Sequence, residues 1–181
     1  KTQRLMMEEK TESRRRKTLE RELLRAYRGQ SYALDIVKLN RYGFRAQGAW
    51  PLALADYEIF GEPLYAPCDG EVRFTENRLP DRVPPEHDRQ NPAGNFVYLE
   101  CGASGVLLAH LMQSSVAVAP GDRVRQGQQI GRVGNSGYST EPHLHIHAQR
   151  SGSGADFLAA DPLPLQVAGR SLVRNSRINA R

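Results

Sequence analysis

Three of the five histidines in this 181-residue chain alternate with aliphatic residues in one short run, His143-Leu144-His145-Ile146-His147. In an extended strand, side chains at i, i+2 and i+4 share one face. The run therefore predicts three imidazoles lining one side, with Leu144 and Ile146 turned into a core. Such a face suits metal binding or proton transfer, because imidazole is a good zinc ligand and titrates near neutral pH. A catalytic zinc site takes three protein ligands and leaves one position open. His143 and His145 can divide that work, one on the metal and one on substrate or water. A further partner must come from far away in sequence, and Asp35 and His110 are the candidates. A surface strand with tolerated histidines is the plain alternative. It is the weaker one for three alternating histidines behind a Gly- and Pro-containing turn.

These residues need elements to carry them. Asp35 lies inside the apolar segment Tyr32–Val37, the first strand candidate, where a carboxylate needs a hydrogen-bonding partner or a metal. His110 stands at the end of the strand-like run Val106–Ala109. That run pairs with Phe96–Leu99 across a turn at Gly102–Gly105. Leu64–Phe74 holds two strands' worth of residues broken by Pro67 and Asp69-Gly70, a hairpin-like signal. Residues 77–95, with four prolines, read as a long surface loop, and His87 within it as a solvated loop histidine. Very short strands are expected at Val116–Val118, Val124 and Ile130–Val133. A loop should follow at Asp156–Pro164, with one or two late strands in Leu165–Val173. The body is thus mainly β, a domain over residues 29–175 with a frayed tail at 176–181.

Residues 1–28 differ in kind. They contain no Gly or Pro and are rich in Arg, Glu, Lys and Leu, which predicts an N-terminal α-helix or tether ended by Gly29. Ten of the 25 Lys and Arg and five of the 20 Asp and Glu lie there, so the remaining chain carries fifteen of each sign. The net charge of +5 belongs to this basic segment. A neutral body lacks the basic face that phosphate contacts need, which argues against nucleic acid as a partner. No apolar run reaches the ~20 residues of a membrane span, and no signal-peptide core opens the chain. Because the chain starts at Lys1, an upstream signal or anchor is expected outside it. Cys68 and Cys101 lie on separate strand-like segments. They read equally well as a cross-strand disulfide, implying an oxidising compartment, or as two buried thiols.

Several blocks together resemble the lysostaphin/LytM-type zinc endopeptidases. They are Gly61–Val72, Ala109-His110-Leu111, Gly121–Gly137 and Ser139-Thr140-Glu141-Pro142-His143-Leu144-His145, in the family's order, with similarity running over roughly residues 30–150. The resemblance implies a compact lysostaphin-like β-sheet domain of the duplicated-hybrid-motif type, with a groove and one Zn2+ ion. It assigns Asp35 and His145 as metal ligands. His110 and His143 become the catalytic pair that orients or deprotonates the water and stabilises the oxyanion. His147 falls where the family usually has an acidic residue and is not carried over as a ligand. The implied reaction is metal-activated attack of water on an amide in the peptide cross-links of bacterial peptidoglycan. The implied location is the cell envelope, periplasmic or extracellular.

The sequence departs from this pattern at Ser31, four residues before Asp35, where the family's first His ligand belongs; no histidine occurs upstream of His87. A neutral hydroxyl is a weak zinc ligand, and two protein ligands fall below the usual complement. Three readings follow: recruitment of another ligand such as His87, weak zinc binding, or a degenerate non-catalytic domain. The last would bind peptidoglycan or regulate a cell-wall hydrolase partner. A biotinyl- or lipoyl-type carrier domain shares the turn-rich pattern of residues 118–131. It needs an acceptor Lys at a hairpin tip, whereas every Lys here lies at or before Lys38.

Overall fold

The strand β5 (Ser104–Leu111) is buried on both faces from Gly105 to Leu111, as its continuous apolar run predicts. A computed structural model describes residues 30–48, 50–151, 160–167, 169–172 and 176–178. The expected helix over residues 1–28 lies outside them. Ten further strands surround β5 among the described residues: β1 (Leu34–Ile36), β2 (Pro63–Tyr65), β3 (Gly70–Glu76), β4 (Asn95–Cys101), β6 (Arg123–Val124), β7 (Gln129–Arg132), β8 (Leu144–Arg150), β9 (Pro162–Leu163), β10 (Gln166–Val167) and β11 (Arg170–Ser171). The only helical turn among these residues is a 3-10 turn at Leu54–Asp56. The fold is mainly β.

The large sheet is antiparallel, in the order β1-β8-β5-β4-β3-β6, with β9 also paired to β8. Its first face carries Val72, Val97, Leu99, Val106, Leu108 and Ala148, with Leu144 and Ile146 packed against them. Leu64 and Ile130 join this core from a second sheet formed by β2 and β7. The predicted inward turn of Leu144 and Ile146 is thus met. The other face carries Tyr98, Leu107 and Ala109, backed by Ala93 and Phe96. By alternation, His145, His147 and Gln149 belong to that second face.

Three expectations change. The Leu64–Phe74 segment does form two strands, but not a hairpin: β2 pairs with β7, while β3 lies between β4 and β6. Pro67 removes a donor that a hairpin ladder would need, and the chain crosses between sheets instead. Val116–Val118 forms no strand; Asn77 holds it through both side-chain atoms, donating to the Val116 carbonyl and accepting from its N–H. The loop expected over Asp156–Pro164 contains β9, which pairs Leu163 with Ala148. Cys68 and Cys101 are joined by a disulfide that ties the β2–β3 connection to the end of β4.

Candidate metal and catalytic site

β8 supplies the centre of the site. Its register sets Asp35 of β1 opposite His145 on one side and Ala109 of β5 opposite His145 on the other. Residues directly opposite share a face, so the Asp35 carboxylate and the His145 ring meet. Asp35 Oδ1 stands 2.9 Å from His145 Nδ1 and 3.5 Å from Nε2 of His143, which lies just before the strand. The His145 hydrogen bond is the main cause holding the Asp35 carboxyl below the usual carboxylate range; burial opposes it, and the nearby imidazoles add to it. Asp35 keeps 64% of its side-chain exposure, against 12% for His143 and 13% for His145. The site is open on the carboxylate side.

His110 reaches this cluster by a backbone irregularity. Alternation along β5 puts Ala109 on the His145 face and would send His110 to the opposite one. The register with β4 slips here, from Phe96 opposite Ala109 to Asn95 opposite Leu111, and His110 is the extra residue. It has a φ of +61°, the left-handed region that costs a non-glycine residue about 1–3 kcal/mol. This bulge swings the ring beside His143, with centroids 4.7 Å apart, and beside His145, at 5.8 Å.

The turn Gly134–Gly137 clamps the bulge. Gly134 N–H donates to the His110 carbonyl, while His110 N–H donates to Ala93. The Ser136 hydroxyl donates to the Leu111 carbonyl, and the Ser136 carbonyl accepts from His110 Nδ1 at 2.9 Å. A Cβ on Gly134 would sit 2.3 Å from Met112 N and 2.4 Å from Asp81 Oδ1. Close backbone approach explains that glycine.

The carbonyl contacts also set the protonation pattern, because a carbonyl only accepts. His110 carries its proton on Nδ1, facing Ser136, and presents a bare Nε2. His143 Nδ1 faces the Glu141 carbonyl at 2.8 Å, so its bare Nε2 points towards Asp35. Arg45 holds Glu141 from outside through an ion pair. Burial, with the neighbouring His143 ring acting in the same direction, pushes the His110 pKa down to about 3, so its ring stays neutral.

Ligand atoms of His110, His143 and His145 all lie within 4.8 Å of one another. Two donors on one tetrahedral zinc at ~2.0–2.1 Å stand roughly 3.3 Å apart. The 2.9 and 3.5 Å separations around Asp35 bracket that span. The Asp35 carboxylate and the His145 imidazole are donors zinc accepts, with His143 Nε2 beside them on the open side. The residues fit the metal.

The structure therefore brings Asp35, His110, His143 and His145 together. Ser31 lies in the exposed turn before β1. His87 is not recruited: Nδ1 contacts the Pro85 carbonyl, Nε2 accepts from Arg89, and the ring rests edge-on against Tyr138. His147, set aside from the sequence, is tied to the site. It is fully buried, its Nδ1 is 3.1 Å from His145 Nε2, and burial pushes its pKa down to about 4. The sequence signal for it was the alternation itself, continued past His145 to His147 and Gln149.

A profile of Peptidase family M23 matches residues 55–157, more than half of the chain. The chain belongs to peptidase family M23. The matched segment of this M23 domain contains His110, His143, His145 and His147, while Ser31 and Asp35 precede it. The domain is 36% identical over 86 residues to peptidoglycan DD-endopeptidase ShyA of Vibrio cholerae serotype O1, covering 47% of this chain and 17% of that protein. It is 48% identical over 61 residues to glycyl-glycine endopeptidase ALE-1 of Staphylococcus capitis, covering 33% and 16%. It is 46% identical over 61 residues to lysostaphin of Staphylococcus staphylolyticus, covering 33% and 12%. The alignments thus span less than a fifth of each relative's length.

Proposed function

We propose that this M23 domain is a zinc-dependent endopeptidase acting on the peptide cross-links of bacterial peptidoglycan. The observation that carries the reading is the meeting of Asp35 Oδ1, His145 Nδ1 and His143 Nε2 across β1 and β8. Asp35 and His145 would hold the ion. When bound, zinc supplies Lewis acidity, polarising the scissile carbonyl and lowering the pKa of water toward ~7. His143 offers a bare Nε2 at the open side, takes a proton from the attacking water and passes it to the leaving amine. His110, neutral and with its proton committed to Ser136, orients that water by accepting a hydrogen bond. A neutral ring of this tautomer has no donor for the oxyanion, so the expected shared role of the pair separates into base and positioner.

The named activities of the relatives support peptidoglycan peptide as the substrate class. The Cys68–Cys101 disulfide supports an oxidising compartment, consistent with a periplasmic or extracellular location. Among the described residues, no helix is long and apolar enough to cross a membrane.

Ser31 favours one second reading, a degenerate domain that binds peptidoglycan or a cell-wall hydrolase partner without cleaving. Purified sacculi incubated with the chain, with chelator, and with chelator followed by zinc separate the two. Zinc-restored release of cleaved muropeptides supports the enzyme. Co-sedimentation without release under all three conditions supports the binding domain.

A further inference from the structure

His110 and the turn that aims it meet at a single backbone bridge. Leu111 pairs with Val133, Gly134 N–H donates to the His110 carbonyl, and Met112 N–H donates to the Arg132 carbonyl. Beyond the bridge each segment has one further N–H, that of Gln113 and that of Asn135, and neither meets a backbone carbonyl among the described residues. One side chain takes both. Asp81 Oδ1 accepts from Asn135 N–H at 2.6 Å, and Oδ2 accepts from Gln113 N–H at 2.9 Å. Asp81 lies in the proline-rich loop between β3 and β4.

We infer that Asp81 is a positioning residue for the reaction, its carboxylate pinning the turn Gly134–Gly137 to the segment after His110 and so holding the Ser136 carbonyl against the His110 ring. The inference rests on the enzymatic reading above, in which His110 orients the attacking water.

The two donors call for this side chain. Asn135 is fully buried, so its N–H left without an acceptor would be costly. Only a carboxylate sets two acceptor oxygens side by side with no donor between them, and charge-assisted bonds of this kind are the strong ones. The bare Cα of Gly134 makes room for it: a Cβ there would sit 2.4 Å from Asp81 Oδ1. Nor can the carboxylate swing away. Asp81 bridges Ser136, Arg82 N–H donates to the Asn135 carbonyl, and the Asn135 side-chain amide donates to the Arg82 carbonyl. Farther along the same loop, Asp88 N–H donates to the Gly137 carbonyl, and Tyr138 N–H to the Pro92 carbonyl. Asn135 is thus held at both its N–H and its carbonyl. The next carbonyl along the chain is the one that accepts from His110 Nδ1 at 2.9 Å.

Hydrogen exchange on the metal-free parent tests the contact without a variant. Asn135 N–H should be protected like the central amides of β5, and exchange as fast as that of exposed loop amides overturns the proposal. Asp81→Asn keeps the shape but turns one acceptor into an NH2 donor. In nitrogen-15 NMR of the metal-free chain, the His110 Nδ1–H signal should shift or broaden in D81N, while the β3 amides keep their positions and report an intact fold. With zinc-loaded protein and cross-linked muropeptides, kcat should fall roughly 10–100-fold in D81N, with KM and zinc affinity within about threefold of the parent. Asp35 and His145 lie on β1 and β8, which Asp81 does not touch, so a purely structural loss would move affinity and KM as well. An unmoved His110 signal, a parental kcat, or a loss confined to KM or to zinc affinity overturns the proposal. A parent that cleaves nothing, in which the His110 signal still responds to D81N, overturns the enzymatic reading and leaves the positioning of the ring standing.

Discussion

At the scale of single residues the site is a question of lone pairs. Asp35, His143 and His145 converge within 3.5 Å, and carbonyls at Glu141 and Ser136 fix which nitrogen of His143 and His110 is bare. Ser31 is the residue that does not fit, since a hydroxyl does not replace an imidazole as a zinc ligand. Ser31→His is expected to raise zinc affinity by at least roughly tenfold by restoring a third ligand. A competition titration that does not move would show that position 31 is not the lost ligand site.

At the scale of elements, the turn Gly134–Gly137 and the bulge at His110 act as one unit. The strain of a φ of +61° persists because backbone bonds from Ala93 and Gly134 and the carbonyl of Ser136 over-determine it. Gly134→Ala drives a Cβ into Met112 and Asp81. Overpacking of this kind costs about 1–3 kcal/mol, so thermal melts should shift down by roughly 2–12 °C for a chain of this size. Hydrolysis by the folded variant, measured well below its Tm, should fall further than the melt predicts, because the displaced turn is what aims His110. Activity intact alongside a lowered Tm would uncouple the clamp from the ring.

At the scale of the whole molecule, two features tie stability to conditions. His110 and His147 have folded pKa values near 3 and 4, below the ordinary histidine value, because burial disfavours their charged forms. Each is neutral in the folded chain where it would be protonated when unfolded. The stability they permit is therefore present above about pH 6.5 and is lost as the pH falls towards 4 and 3. Depression of Asp35 acts in the same direction at lower pH. Denaturant melts of the metal-free chain should show stability falling steeply from pH 6.5 to 4; a flat profile would contradict the buried-neutral assignment. The Cys68–Cys101 disulfide closes a loop with a separation of 33 residues. Its loss should cost about 3–4 kcal/mol on the loop-entropy estimate. The paired substitution Cys68→Ser with Cys101→Ser should then lower Tm by roughly 10 °C, and an unchanged melt would show that the bridge adds nothing.

The sequence by itself determined the residue types and the period. Alternation alone placed His143, His145 and His147 on one face and Leu144 and Ile146 on the other; Asp35 and His110 stood as the distant candidates, and the family resemblance gave them their roles. The apolar run Val106–Ala109 of β5 and its hairpin with β4 were legible because both strands are central and their turn is local. The crossover of β2 and β3 into different sheets was not, since local breaks at Pro67 and Gly70 look the same whichever partner a strand finds. The tertiary structure alone decided that His110 faces the site, because strict alternation points it away and only the bulge against Asn95 turns it back. It also decided the standing of His147. A histidine's role depends on what its two nitrogens meet, and those partners, His145 on one side and a buried interior on the other, exist only once the strands have paired.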